Sequence, residues 1–428
     1  MLHRAPWLPI LRGGISTIGG FNSGMRALLS AVIIMLLASK AILDQLGKRS
    51  SGPPKKRDRI LIIGASGAIG KELVATVSAV HGRGSVIAAL RKTPLPIGLE
   101  SETGVISEFG IDLRNASSIE VLLSKYGKEI FAIWNLAAPL SVESERDPSL
   151  AEDVTVGGMR RLIKAMDQAK MPHETRLLFS DSIGSFGATA PRRDANAAWL
   201  IAHPTADPGS AYGEQKRKCR ELLKTSRYDT RFAVIPGVLH DAPVWGAGTT
   251  EYALDAILHW FQHHNSPPPK TGNHGSSAFV CPVGPNSTLP MVHSADLMQA
   301  LLALQDAPRS SLSQPDAGYT IGGFSFTPSD LVSYLTSKNS NAVGARIEND
   351  DEGEESASEV ASEMPAAWTV KYQMDGAASI FAELWPDSLS RAEVATDLGW
   401  EPVLVPTMEA AVDRIIAAHQ KRASASLL

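Results

Sequence analysis

RILIIGASGAIGKELV, residues 59–74, decides how this chain folds. A short apolar run, rich in β-branched residues, fits a strand buried on both faces. Gly64, Gly67 and Gly70 follow at intervals of three, and KELVATVSAV (residues 71–80) then spaces its apolar residues as a helix does. Glycines between a buried strand and a helix meet three needs at once: a tight turn, close approach of a phosphate to backbone N–H groups, and packing of helix on strand. The helix N-terminus adds partial positive charge toward that phosphate. The stretch therefore predicts a dinucleotide cradle.

Working outward, strands and helices alternate. SVIAAL (85–90), IFAIWNLAA (130–138), RLLFSDS (176–182) and RFAVIPG (231–237) read as strands, and AEDVTVGGMRRLIKAMDQA (151–169) as a helix. This alternation predicts an α/β fold: a Rossmann-type, doubly wound parallel sheet covered on both faces, with a smaller C-terminal substrate-binding lobe. Ligands in such folds lie beyond the carboxyl ends of the strands. We place the dinucleotide-binding domain at 59–240 and the lobe mainly at 241–420. TPSDLVSYL (327–335) starts a helix capped by Thr or Ser. ENDDEGEESASEVASE (348–363) is acidic, Ser-rich and poor in large apolar residues, so a disordered insertion is expected near 341–365.

Residues 1–58 form a leader and linker of different character. Residues 1–43 hold no Asp or Glu, and ALLSAVIIMLLAS (27–39) is strongly apolar. A mitochondrial or other organelle transit peptide, a membrane anchor and an uninformative leader all remain open. The apolar run falls short of the ~18 residues that a membrane span needs.

With 44% apolar and 20% charged residues the chain has an ordinary folded composition, and a net charge of -4 gives no nucleic-acid signature. Cys219 and Cys281 make neither a metal spacing nor a disulfide framework. His240, His259, His263, His264 and His293 form no metal motif and read as core or surface residues, so no metal is expected. Met291 and Met298 read as packing.

The chemistry is carried by SAYGEQK (210–216). Tyr212 and Lys216 are four apart, so on a helix they face the same way. A phenol is a poor base near neutral pH, and an ammonium one turn away stabilises its phenolate. Ser182, at a strand end, is placed to hold a substrate oxygen while Tyr212 moves the proton. A small-molecule alcohol or ketone is the implied substrate, with a nicotinamide dinucleotide as cofactor. Its form stays open. The second strand ends Leu90-Arg91-Lys92 where a ribose-binding acid is usual, which favours NADP, while Asp112 is available to the adenine amino group.

At these residues the chain resembles the extended short-chain dehydrogenase/reductase superfamily, the NAD-dependent epimerase/dehydratase type. Within it the nearest resemblance is to the short-chain type of L-threonine 3-dehydrogenase. NLAAPLSVESERDP (135–148), DSIGSFG (181–187), DPGSAYGEQK (207–216), GAGTTEYA (246–253), LPMVHSAD (289–296), GGFSFTP (322–328) and ELWPDSLSRAEVATDLGW (383–400) carry it.

The resemblance implies oxidation of a secondary alcohol beta to a carboxylate, as from L-threonine to 2-amino-3-ketobutyrate, with NAD as acceptor. It also implies a homodimer and, in eukaryotes, a mitochondrial address. By implication Ser182, Tyr212 and Lys216 are catalytic. The cofactor would lie along Gly64, Gly67, Ala68, Ile69 and Gly70, then Arg91, Asp112 and Leu113. Leu136, Ala137, Ala138, Lys216 and Pro236 would complete its bed. Ser141, Gly237, Thr249, Thr250 and Trp385 would shape the substrate pocket beside Ser182 and Tyr212.

Departures from the family pattern bear on the substrate. Val234 stands where the family has an arginine before Pro-Gly, Ala378 replaces a second arginine, and Ser390 and Arg391 replace paired aspartates. These leave a related reductase or epimerase with another substrate as an alternative. A non-catalytic nucleotide-binding scaffold is a third, and the retained Ser, Tyr and Lys speak against it.

Overall fold

A computed structural model describes residues 57–243, 248–265, 278–347 and 368–425. The leader and linker up to residue 56 and the whole acidic segment 348–363 lie outside the described residues. Lys56–Leu428 forms one compact unit.

Its frame is a seven-stranded sheet built from β1 (Arg59–Ile63), β2 (Val86–Leu90), β3 (Ile106–Phe109), β4 (Ile130–Asn135), β5 (Arg176–Ser182), β6 (Asp229–Ile235) and the later β10 (Gly318–Thr320). Its order is β10-β6-β5-β4-β1-β2-β3, and every pairing is parallel. The order reverses between β1 and β4, which opens a crevice at their carboxyl ends. Alternation along β1 divides its side chains between two cores: Leu61 and Ile63 pack on one face, Ile60 and Ile62 on the other. Each such side chain, taken fully from water, contributes roughly 1.5–3 kcal/mol.

Helices cover both faces: α1 (Ala68–His81), α2 (Ala116–Tyr126), α3 (Gly158–Gln168) and α4 (Ala211–Lys224). The stretch read as one helix over 151–169 is interrupted. Asp153–Gly157 widens into a π turn just before α3, at a Gly157–Gly158 pair that resists the turn least.

Smaller sheets follow: β7 (Gly237–Leu239), β9 (Leu289–His293) and β11 (Phe324–Phe326) in one, β8 (Phe279–Cys281) and β12 (Val370–Tyr372) in another. Around them lie α5 (Tyr252–Asn265), α6 (Ser294–Asp306) and α7 (Pro328–Ile347). The expected cap of α7 is present: Thr327 Oγ1 accepts from the Asp330 N–H, and Asp330 Oδ2 accepts from the Thr327 N–H. The helix then continues to Ile347, past residue 341 where disorder was expected to begin. Both cysteines are buried and unpaired. Burial pushes the Cys219 thiol up to about 12. Met291 and Met298 pack in the core as expected. Among the described residues no helix is long and apolar enough to cross a membrane.

Candidate active site

The glycine turn has the geometry the spacing demands. Gly64 sits at φ +84°, and a Cβ there would stand 3.0 Å from the Ala137 nitrogen. At Gly70 a Cβ would lie 2.2 Å from the Gly64 carbonyl oxygen, so α1 can approach β1 only without one. Gly67 caps α1 with extended backbone and no side-chain hydrogen bond, leaving first-turn N–H groups to an outside acceptor. These features fit a dinucleotide's phosphates.

Two cavities meet at this turn. One, of about 610 Å³, runs from Gly64, Ser66 and Gly67 past Arg91, Asp112 and Leu113 to Leu136, Ala137 and Ala138. The other, of about 360 Å³, takes in Ala68, Ile69 and Gly70, then Ser182, Tyr212, Lys216 and Pro236. Every residue expected to touch cofactor or substrate lines one of the two, including Ser141, Gly237, Thr249, Thr250 and Trp385.

Asp112 accepts from both Nε (3.1 Å) and Nη2 (2.8 Å) of Arg114. The hydrogen bonds of that guanidinium hold the Asp112 carboxyl down at about 2.

The catalytic candidates come from two elements. Ser182 ends β5, and its Oγ accepts from the Gly184 N–H at 3.1 Å. Ser210 caps α4 by accepting from the Gly213 N–H, which sets Tyr212 and Lys216 one turn apart on the cavity side. Lys216 is 2% exposed, and its Nζ donates to the Ser180 carbonyl at 2.6 Å. The ammonium also stands 5.3 Å from the centroid of the Tyr212 ring. One of its three protons is thereby engaged, and two remain for the cavity. Gly184 leaves room for the phenol: a Cβ there would meet Tyr212 Cδ1 at 2.9 Å.

In the substrate half, Ser141 Oγ and Thr249 Oγ1 lie 3.2 Å apart. A Cβ at Gly237 would strike Met291 Sδ and Thr250 Cβ, so this wall too depends on glycine. The indole N–H of buried Trp385 has no acceptor among the described residues.

Several groups were not anticipated. Asp181 and Arg220 form a buried ion pair of 2.6 Å directly behind Ser182. Asp181 Oδ1 also accepts from the Ser182 N–H and from Ser185 Oγ. The only sequence signal was an acid inside a strand end, with a cation one turn beyond Lys216. His240, expected as an ordinary core or surface residue, lines the catalytic cavity and meets Glu72 Oε1 at 2.7 Å. Burial pushes the Glu72 carboxyl up, but His240 outweighs it and leaves the group below its usual range. Glu251 lines the same cavity, with its carboxyl raised by burial. Val234, at the lost arginine position, is wholly buried in the sheet. Among the described residues no three metal-ligating side chains gather into a site.

Comparison with known proteins agrees with this geometry. Residues 60–269 match the model of the NAD dependent epimerase/dehydratase family. The curated mitochondrial L-threonine 3-dehydrogenase of Bos taurus is 28% identical over 368 residues, covering 82% of either chain. An uncharacterised epimerase/dehydratase of Staphylococcus haemolyticus is 24% identical over 81% of this chain and 93% of its own length. The solved L-threonine dehydrogenase from Cupriavidus necator, in its holo form, shares the fold: TM-score 0.65 at 22% identity, over 84% of this chain and 99% of that one. Through residues 60–269 the chain belongs to the NAD-dependent epimerase/dehydratase family, and it is a nicotinamide-dependent dehydrogenase.

Proposed function

We propose that the enzyme oxidises the secondary hydroxyl of L-threonine or a similar β-hydroxy acid, L-threonine giving 2-amino-3-ketobutyrate. The observation that carries this reading is the meeting of Ser182, Tyr212 and Lys216 on one cavity wall beside the glycine turn. The names of the relatives point to the same substrate. Ser182 Oγ holds the substrate oxygen, Tyr212 takes its proton as the phenolate, and Lys216 steadies that charge. A bound nicotinamide ring supplies the hydride acceptor. Ser141, Thr249 and Trp385 fit the role of orienting the substrate's other end.

A second reading, a related reductase or epimerase with a different substrate, is favoured by the charges. Among the described residues of the catalytic cavity the one Lys or Arg side chain is Lys216, directed at the Ser180 carbonyl, and the His240 ring is engaged with Glu72. A substrate carboxylate would share this cavity with Glu251, with no arginine among its described lining residues to offset the charge, which favours a substrate lacking that group.

Full-length protein offered L-threonine with NAD and with NADP, followed by absorbance of the reduced nicotinamide, separates the two. Turnover supports the first reading. Turnover only with a neutral hydroxy or keto compound replaces it with the second. We also propose a homodimer and a mitochondrial address. The acid-poor leader and the mitochondrial names of two relatives support the address. Light scattering tests the dimer, and mitochondrial import of a fusion to residues 1–58 tests the leader.

A further inference from the structure

We infer that the part of the cofactor cavity lined by Arg91, with Ser66 on the same cavity's wall, is a 2′-phosphate subsite, so that the enzyme prefers the phosphorylated dinucleotide, NADP, over NAD. This rests on the cradle holding a nicotinamide dinucleotide and adds which one.

The placement comes from the sheet. β2 lies beside β1, so its carboxyl end opens onto the same crevice as the glycine turn. The strand stops at buried Leu90, and Arg91 is the first residue to emerge, exposed on the cavity wall. The following segment is clamped there: the Ile111 N–H donates to the Leu90 carbonyl at 3.0 Å and the Gly110 N–H to the Arg91 carbonyl at 3.3 Å. Arg91 is thus held next to Asp112, within reach of its charge.

The donor set then decides what the corner can bind. An unphosphorylated ribose offers a 2′-hydroxyl that seeks an acceptor, normally a free carboxylate at the end of the second strand. From Leu90 to Pro96 the sequence LRKTPLP supplies none. Asp112, the nearby carboxylate, accepts from the Arg114 guanidinium on both oxygens, and the Arg114 backbone N–H donates to Oδ1 as well, so three of its four acceptor sites are used. Its charge is balanced by the same guanidinium. The Arg91 guanidinium has no hydrogen bond or ion pair among the described residues, leaving a planar five-donor fork without an acceptor. The Ser66 hydroxyl lines the same cavity and has no hydrogen-bond partner among the described residues. Glu143 and Asp147 also line this cavity, but from the segment after β4, and Arg146 lies between them. The corner at β2 therefore carries one cation in excess and two free donors. That combination suits a phosphate better than a 2′-hydroxyl, for which Asp112 keeps a single acceptor site.

The test is binding, so it needs no knowledge of the substrate. Full-length protein is titrated with NADPH and with NADH, following nicotinamide fluorescence, and the bound nucleotide is displaced with 2′-AMP and with 5′-AMP. NADPH should bind about 10- to 100-fold more tightly than NADH, the range of a hydrogen bond to a charged group. Arg91→Ala should erase most of that margin while moving NADH affinity less than about twofold, and Ser66→Ala should erase a smaller part. Because Arg91 is exposed and unpartnered, its variant should melt with the wild type. NADH binding as tightly as NADPH, or Arg91→Ala weakening both alike, would overturn the subsite. Failure of both dinucleotides and of 5′-AMP to bind would instead remove the cradle itself, and the subsite with it.

Discussion

Asp181 Oδ2 and Arg220 Nη1 lie 2.6 Å apart, both buried, at the strand end whose next residue is Ser182. Asp181 reaches from β5 and Arg220 from α4, so one ion pair ties together the two elements that carry Ser182 and Tyr212. Removing one partner leaves an uncompensated buried charge, which costs about 3–5 kcal/mol. Arg220→Met should therefore lower the denaturation midpoint strongly. Asp181→Leu combined with Arg220→Met should be milder than Arg220→Met alone, because the apolar pair strands no charge. Urea unfolding of wild type, Asp181→Leu, Arg220→Met and the double variant measures both effects, and additivity of the two single changes would contradict the pairing.

Gly184→Ala should disable chemistry with little effect on the cradle. Its Cβ would sit 2.9 Å from Tyr212 Cδ1 and 3.1 Å from Cε1, tighter than real contacts allow, so the phenol must swing away. A displacement of about 1 Å at a reacting group can cost ~100-fold in rate. Steady-state turnover should fall by that order while the dissociation constant of the cofactor, read by fluorescence, stays within about twofold.

His293 should make the fold acid-sensitive. Its ring is wholly buried. Nδ1 accepts from the Ala295 N–H at the start of α6, and Nε2 faces Asp241 at 3.2 Å. A backbone amide can only donate, so the capping nitrogen must be unprotonated. Burial holds the imidazole pKa below its unfolded value of about 6.5. The stability it contributes is present above that value and is lost as the pH falls through the folded pKa. The cap is worth about 0.5–2 kcal/mol. Thermal melts from pH 7.5 down to 5 should show the loss, and His293→Asn, a cap that does not titrate, should flatten the curve. Equal slopes for the two proteins would contradict this role.

Most of the cofactor half was legible in the primary structure because its constraints are local. Gly64, Gly67 and Gly70 act within one turn, and Tyr212 and Lys216 within one helix, so spacing alone reports them. β10 was not foreseen: three residues between loops carry no periodicity, and only the edge of β6 makes them a strand. Asp181 with Arg220 and His240 with Glu72 were missed for a related reason. Partners 39 and 168 residues apart meet only after the sheet has formed. The interruption at Asp153–Gly157 escaped because a π turn keeps a helix's apolar spacing on either side.

The Tyr212→Phe variant tests the account most directly. Its rate of reduced-nicotinamide formation should be compared with wild type at saturating cofactor, on L-threonine first and then on the best alcohol of a substrate screen. Loss of the phenol removes the proton acceptor and leaves the ring's packing, so turnover should fall about 10²- to 10⁴-fold with cofactor affinity retained. Turnover at the wild-type rate would show that the proton leaves by another group, and the role assigned to Tyr212 would be wrong.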